Sequence, residues 1–471
     1  MPINANNTSQ VLGLAHSFST VSIIFCYVSK QHNRNKYNPA LFFFFIIAST
    51  ALFLGYYRNQ WNSARDVKFS NVDKFSESLV IGRLVQSRQD GIFSKAALLG
   101  MGDTDPSNMK EIDSDRQYDT YFNGGSFSTY FIYRSHNAFQ AVMFSLIDSI
   151  SPFSPNRNLR LFRDITSLLT AVAIGLLLTW IYHEFGLFTA LITFFTTVMS
   201  QWITVFGRNI FWGIWVYFLP LLAVIIALEV EKQKKEINNR RFVGVVFAAI
   251  LIKCLLSGYD FIPTAAISTC IPIVYYSVYE RWDMLRLLRK FGLAAMGASA
   301  AIFLSLAILA AQIGYIEGNY KAGIQHIENS ISRRTYGDAN QYPQYSESLQ
   351  AKSTDVLLTY LTRDEIFRKS PLRFSDITLL YFFFSCVLIV LTLWKKENID
   401  KNNKGYALIA ATWLAFIGSI STYIIFKGAS YIHTHLYFIV WHLPFTILGF
   451  ALCGYTLKVI YQTLFPLHKK R

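Results

Sequence analysis

The chain has 471 residues, 52% of them hydrophobic and 16% aromatic, with a formal charge of +15 and a mean hydropathy of +0.30. That composition excludes an ordinary soluble domain and a disordered chain, and it fits a polytopic membrane protein. The basic residues fall in short clusters between apolar runs, which excludes a nucleic-acid-binding face and reads as topology signals and headgroup contacts.

A membrane crossing needs about 20 mostly apolar residues. Residues 11–28 lack charge but are diluted by His16, Ser17, Ser19, Thr20 and Ser22, and read as an interfacial helix, with an extra span as the lesser reading. Spans are then expected near 39–57, 165–183, 185–205, 210–228, 242–257, 262–279, 291–313, 377–394, 406–426 and 436–458. The fold class is therefore an all-α polytopic membrane protein. Its expected division is 1–57 (N-terminal segment and first span), 58–164 (polar excursion), 165–313 (six further spans), 314–376 (second large loop) and 377–471 (last three spans and basic tail).

Lys and Arg set the orientation. Lys30, Arg34 and Lys36 precede the first span. Lys232, Lys234, Lys235, Arg240 and Arg241 follow the fourth. Arg281, Arg286, Arg289 and Lys290 follow the sixth, and Lys395, Lys396, Lys401 and Lys404 the eighth; Lys469, Lys470 and Arg471 close the chain. Counting from a cytoplasmic start puts every cluster inside, so the two large loops lie outside. The five cysteines all sit in apolar runs and imply neither disulfides nor a zinc site. No internal repeat is visible, which weakens a transporter built from duplicated halves.

The excursion 58–164 is longer than a linker requires, and its aromatic residues (Tyr118, Tyr121, Phe122, Phe127, Tyr130, Phe131, Tyr133, Phe139) argue for order. Val80, Ile81, Leu84 and Val85 repeat at helical spacing after Ser76-Glu77, predicting a helix on the membrane surface towards Gly91; residues 137–150 suit a second. Glu77 opens the first of them, with Asp73 as its rival for proton chemistry. Arg134 and His136 precede the second. Asp103 with Asp105, and Asp113 with Asp115, are acidic pairs able to hold a divalent cation beside phosphates, although they equally suit a plain polar loop.

Ionisable groups at membrane depth are costly. Lys253, near the outer end of the fifth span, is either a snorkelling partner of Asp260 or a cation for an anionic ligand. Arg208-Asn209, in the aromatic turn Phe206 to Trp212, suits bidentate phosphate binding and sugar contact. Glu184 falls on the cytoplasmic side. His433-Thr434-His435 invites zinc, but no third ligand is evident, so a hydrogen bond to phosphate or a structural anchor is preferred.

Taken together, these residues resemble the GT-C glycosyltransferase superfamily of polyprenyl-phosphate-sugar-dependent enzymes. Gly82-Arg83-Leu84-Val85, Arg208-Asn209, Gly258-Tyr259-Asp260-Phe261 and His433-Thr434-His435 are similar to its bacterial envelope-polysaccharide members. Relatives often carry Asp-Glu where this chain has Ser76-Glu77. The resemblance implies catalytic Glu77 or Asp73, and donor-phosphate contacts from Arg208, Lys253, His433, His435 and Arg134. It also implies sugar or acceptor contacts from Asn209, Trp212, Tyr259 and Asp260. The expected partners are a polyprenyl-phosphate sugar, a glycan, lipid or protein acceptor, and membrane lipids, in the inner membrane of a bacterium with the site facing outwards. No cofactor is certain from these residues, and a divalent cation at the acidic pairs stays open. Two other readings remain: a transporter or flippase of lipid-linked sugars, and a polysaccharide polymerase or ligase using Arg333, Arg334 and Arg363 of the second loop.

Overall fold

Pro39 opens the first helix of the computed structural model, which describes residues 38–71, 73–103, 113–234, 238–368, 370–394 and 399–465. The expected interfacial helix at 11–28, the clusters at 30–36 and 469–471, and Asp105 lie outside these residues. Helix α1 (Pro39–Arg58) starts where the Asn38 side chain accepts from the Ala40 amide, with proline in its first turn. It stops at Asn59, whose left-handed backbone returns its N–H to Gly55 and Leu54. One stripe, including Phe44, Ala48, Leu52 and Tyr56, is buried, while Phe43 and Ile47 face outwards. A helix apolar on both faces is one that meets lipid.

The following elements are α2 (Asp66–Asn71), α3 (Lys74–Asp90), β1 (Leu99–Asp103), α4 (Ser114–Phe122), β2 (Thr129–Tyr133) and α5 (Phe139–Ile150). Then come α6 (Pro155–Phe185), α7 (Leu187–Val198), α8 (Gln201–Phe206), α9 (Trp215–Lys234), α10 (Asn239–Ser257), α11 (Ile262–Tyr279) and α12 (Met284–Glu317). Next are α13 (Tyr320–Arg334), α14 (Ser346–Gln350), α15 (Ser353–Thr362), α16 (Phe374–Trp394), α17 (Ile399–Ile425), α18 (Lys427–Ile432) and α19 (Phe445–Leu464).

Among the described residues, seven helices are long and apolar enough to cross a membrane: α1, α6, α11, α12, α16, residues 403–425 of α17, and α19. Helices α9 and α10 match the length but carry Glu229, Glu231 and Lys232, and Arg240, Arg241 and Lys253. The stretch expected as one span at 185–205 is broken at Met199–Ser200 into α7 and α8. The second span also begins earlier than its hydropathy suggests, because α6 starts at Pro155 and carries the polar turn Arg157–Asp164 as helix. Close approach of α1 and α6 depends on small residues: a Cβ on Gly175 would stand 2.1 Å from the Ser49 hydroxyl.

The excursion between α1 and α6 folds into a small domain around α3. Its amphipathic spacing was expected to lay this helix on the membrane, but Glu77 through Ser87 are all buried. The reason is a two-stranded antiparallel hairpin, β1–β2, that packs on one side, with α4 and α5 around the rest. Gly82 makes this packing fit, since a Cβ there would stand 2.2 Å from the Gly100 carbonyl of β1. Arg83 is fully buried because its guanidinium donates to the carbonyls of Ser94 (2.7 Å), Ile92 (2.5 Å) and Gly91 (3.2 Å) beyond the helix end. The second expected surface helix is α5.

At the opposite end of the bundle, charged side chains tie helix ends together. Lys290 and Arg286 of α12 hold Glu231 of α9 at 2.6 and 3.3 Å, Lys404 of α17 holds Glu184 of α6 at 2.9 Å, and Lys458 of α19 donates to the Phe185 carbonyl at 2.7 Å. The basic stretches around α9–α10, α11–α12 and the start of α17 thus share one end, and the excursion domain, α13–α15 and residues 427–442 share the other.

Candidate functional site

Two cavities open between the excursion domain and the segments α13–α15 and 427–442, and Asp73 and His435 line both. The first, of about 480 Å³, is bounded by Lys68 and Asn71 of α2, Trp202, Arg363, Asp364 and Thr434. The second, of about 450 Å³, is bounded by Ser76, Tyr133, Arg333, Arg334, Tyr345 and His433. Ser135 and Arg334 also line a third cavity of about 210 Å³, whose walls are otherwise mostly apolar: Ile262 of α11, Ile302 and Leu309 of α12, Ile327 and Ile331 of α13, and Phe426.

Asp73 is positioned by its role as the N-cap of α3. Its backbone is left-handed (φ 46°), which turns the carboxylate back so that one oxygen accepts from the Ser76 amide at 3.2 Å. The other accepts from the Trp212 indole N–H at 2.5 Å. Trp212 itself is buried, stacked at 5.3 Å on Phe261, so it reaches the site as a fixed donor rather than as a sugar platform. Asn209 holds the turn that presents Trp212, its side-chain oxygen accepting from the Phe211 and Trp212 amides at 2.9 and 3.1 Å.

Glu77, one helical turn on, lines neither large cavity. Its carboxylate accepts from Arg163 at 2.5 Å, from the Tyr118 hydroxyl at 2.9 Å and from the Ile210 amide at 3.3 Å. Burial alone would push the Glu77 carboxyl up, but Arg163, joined by the Tyr118 hydroxyl and Arg208, holds it below the usual carboxylate range. A carboxylate so fully engaged is a poor proton acceptor. It is a good strut between α3, α6 and the 207–214 turn.

The expected cations divide sharply. Lys253 has no exposure, and its ammonium donates to the carbonyls of Gly258 (2.8 Å) and Asp260 (2.5 Å), so it closes the end of α10 instead of facing a ligand. Arg208 lies over the Phe69 ring at 4.6 Å, beside Glu77 and Arg163, in a small crevice apart from the large cavities. Arg134 and Tyr259 do reach a cavity, the apolar one; Arg134 is paired with Glu317 and Tyr259 donates to Asn137 at 2.8 Å. His433 and His435 both line the second cavity. His433 stacks on Tyr437 at 5.4 Å, and burial lowers its pKa, so it is neutral near pH 7.

Asp260, expected as a sugar contact, lines none of the three cavities and is a largely buried brace. It accepts from Tyr437 at 3.2 Å and pairs with His136 at 3.1 Å. Burial opposes its charge, yet His136 and Arg334 hold its carboxyl far below the usual range, while burial keeps His136 itself depressed and neutral. Neutral His136 therefore donates its Nε2 proton to an ionised Asp260. Gly258 (φ 62°) permits this, as a Cβ there would stand 2.5 Å from the imidazole. Burial works against the charge of Arg334 as well, but Asp260 and Tyr133 more than restore it, keeping the guanidinium firmly cationic in the second cavity wall.

The cations that line the two large cavities are thus Arg333 and Arg334 in one and Lys68 and Arg363 in the other. Lys68 sits over Trp202 at 3.6 Å and pairs with Asp364 at 3.3 Å, and Arg363 donates to Thr434 at 2.8 Å. Lys68, Trp202, Tyr345 and Arg163 carry no local signal, whereas the adjacent Arg333-Arg334 after an amphipathic stretch is one that sequence reading can use. No cluster of three or more His, Cys, Asp or Glu able to hold a metal occurs among the described residues. Asp103 instead pairs with Arg116 at 3.5 Å, Asp113 caps α4 and Asp115 pairs with Lys74. No family model, curated protein or solved structure matches the chain.

Proposed function

We propose that this protein is an integral-membrane glycosyltransferase that moves a sugar from a polyprenyl-phosphate donor to an acceptor hydroxyl outside the cytoplasm. The observation that carries the reading is the position of Asp73 on the wall shared by two cavities lined with charged groups, one of which shares Ser135 and Arg334 with an apolar cavity among the ends of α11, α12 and α13. A substrate with a charged head and a long hydrocarbon tail needs that sequence of environments. The part of the tail next to the phosphate lies in the apolar cavity and the remainder in lipid, the phosphate meets Arg334 and Arg333, and the sugar points towards Asp73. The acceptor occupies the cavity of Lys68, Trp202 and Arg363.

In the reaction, Asp73 takes the proton of the acceptor hydroxyl while its oxygen bonds to the anomeric carbon. The bond from that carbon to the phosphate oxygen breaks, and its electron pair leaves on the phosphate, where the arginines stabilise the growing charge. The Trp212 and Ser76 N–H groups hold the carboxylate in line without neutralising it. Asp73, rather than Glu77, fits the base because only it has access to both cavities.

About ten crossings complete the reading. The seven apolar helices are joined by α9, α10 and the broken pair α7–α8, with both chain ends and the basic clusters in the cytoplasm. The polar acceptor belongs to the cell envelope of a bacterium.

The test is transfer by the purified full-length chain in detergent, with a labelled polyprenyl-phosphate sugar and candidate acceptors. Asp73→Asn is expected to lower turnover about 10²–10⁴-fold while the protein remains folded. Unchanged transfer by Asp73→Asn removes the base from the proposal. Movement of the lipid across vesicle membranes without transfer replaces the enzyme by a flippase.

A further inference from the structure

Four guanidiniums gather where α1, α6 and the 207–214 turn meet, together with two carboxylates among the described residues. Arg58 ends α1, Arg160 and Arg163 sit in the opening turns of α6, and Arg208 projects from the turn; the carboxylates are Glu77 and Asp164. Glu77 is taken up by Arg163 at 2.5 Å. Arg58, Arg160 and Arg208 converge electrostatically on Asp164, but none of the three has a carboxylate within ion-pair distance among the described residues. One oxygen of Asp164 is buried without a hydrogen-bond partner, so that oxygen takes up none of the three guanidiniums.

The place matters as much as the charge. Arg58 and Arg160 are exposed on helices that are both long and apolar enough to cross a membrane, at the ends where those helices leave it. Trp61, three residues past Arg58, and Ile150 and Phe153, just ahead of α6, are large apolar side chains left exposed. Exposed arginines followed or preceded within a few residues by exposed aromatic and aliphatic groups at the ends of apolar helices describe a headgroup layer. Arg58 and Arg208 are also preset, lying over the rings of Tyr57 (5.0 Å) and Phe69 (4.6 Å), which leaves their N–H edges free to fork onto phosphate oxygens.

We infer that Arg58, Arg160 and Arg208 form a binding site for the phosphate of an anionic membrane lipid, at the rim of α1 and α6. The site is separate from the two large cavities, and it depends on membrane insertion alone, so it stands whether or not the protein transfers sugar. The lipid carries the charge that Glu77 and Asp164 leave uncompensated, and its acyl chains cover the apolar residues around the cluster. A soluble anion supplies only the first of these.

The experiment is native mass spectrometry of the full-length chain released from detergent micelles titrated with palmitoyl-oleoyl phosphatidylglycerol or the corresponding phosphatidylcholine. The wild type is expected to retain phosphatidylglycerol in preference to phosphatidylcholine. Arg58→Gln with Arg160→Gln, both exposed positions, is expected to weaken that adduct roughly 25-fold, about fivefold for each arginine. Thermal melting of the double variant in the same detergent verifies its fold, and Arg160→Gln alone serves if the pair is unstable. Equal retention of the two lipids, or an adduct unchanged in the variants, overturns the site. Inorganic phosphate that stabilises the wild type as well as phosphatidylglycerol does would overturn the lipid and leave an anion site.

Discussion

Asp73 and Glu77 stand one helical turn apart, yet their carboxylates meet opposite circumstances. Asp73 accepts two N–H bonds and keeps access to cavities, whereas Glu77 is enclosed by Arg163, Tyr118 and the Ile210 amide. Removing one partner of a buried ion pair strands the other, at a typical cost of 3–5 kcal/mol. Arg163 retains 22% side-chain exposure, so Glu77→Gln is expected to cost less, about 2–4 kcal/mol, read as a fall in melting temperature in detergent. The sign of the pH dependence follows from its lowered carboxyl. The stability Glu77 contributes is fully present above its ordinary value of 4.5 and is lost as pH falls through the lower folded value. The melting difference between wild type and Glu77→Gln should therefore shrink below pH 4.5; a constant difference contradicts the pairing. Sequence reading reached both carboxylates and their meeting with the 207–214 turn. It could not rank them, because the partner that disables Glu77 arrives from α6, far along the chain, and only packing brings it there.

Helix α3 shows why an element can be recognised and still be misplaced. Its period was legible, but period reports only that one face is apolar, not what covers it, and here β1, α4 and α5 supply the cover that the membrane was expected to give. Helix α13 teaches the converse. Its last turn carries Arg333 and Arg334 into the second cavity while Ile327 and Ile331 roof the apolar one, so a single amphipathic helix joins the two environments. A charge-assisted hydrogen bond is worth about 1.5–3 kcal/mol. Arg334→Gln is accordingly expected to raise the KM for the lipid-phosphate donor roughly 10–100-fold, with a smaller effect on the acceptor. The opposite ranking in steady-state kinetics would move the donor to the Lys68 cavity.

At the scale of the whole molecule, two ends of the bundle differ in kind. One holds the cavities; the other is laced by Glu231 with Arg286 and Lys290, and by Glu184 with Lys404. Hydropathy found the seven candidate spans because lipid imposes a similar length on each. It merged α7 with α8, because the break at Met199–Ser200 leaves the average apolarity unchanged. The short connections at the laced end concentrate Lys and Arg, and in the proposed topology that end faces the cytoplasm. Single cysteines introduced at the exposed positions Val67 and Leu358, in a chain cleared of its own cysteines, are then expected to react with a membrane-impermeant maleimide on intact cells. Cysteines at Met284 and Leu285, exposed at the laced end, should react only after permeabilisation. Because Val67 lines the Lys68 cavity, its labelling from outside also fixes the side on which an acceptor must arrive. Labelling of Met284 on intact cells with Val67 protected inverts the molecule and turns both cavities to the cytosol. Reaction of all four in intact cells denies the separation of the two ends by a bilayer.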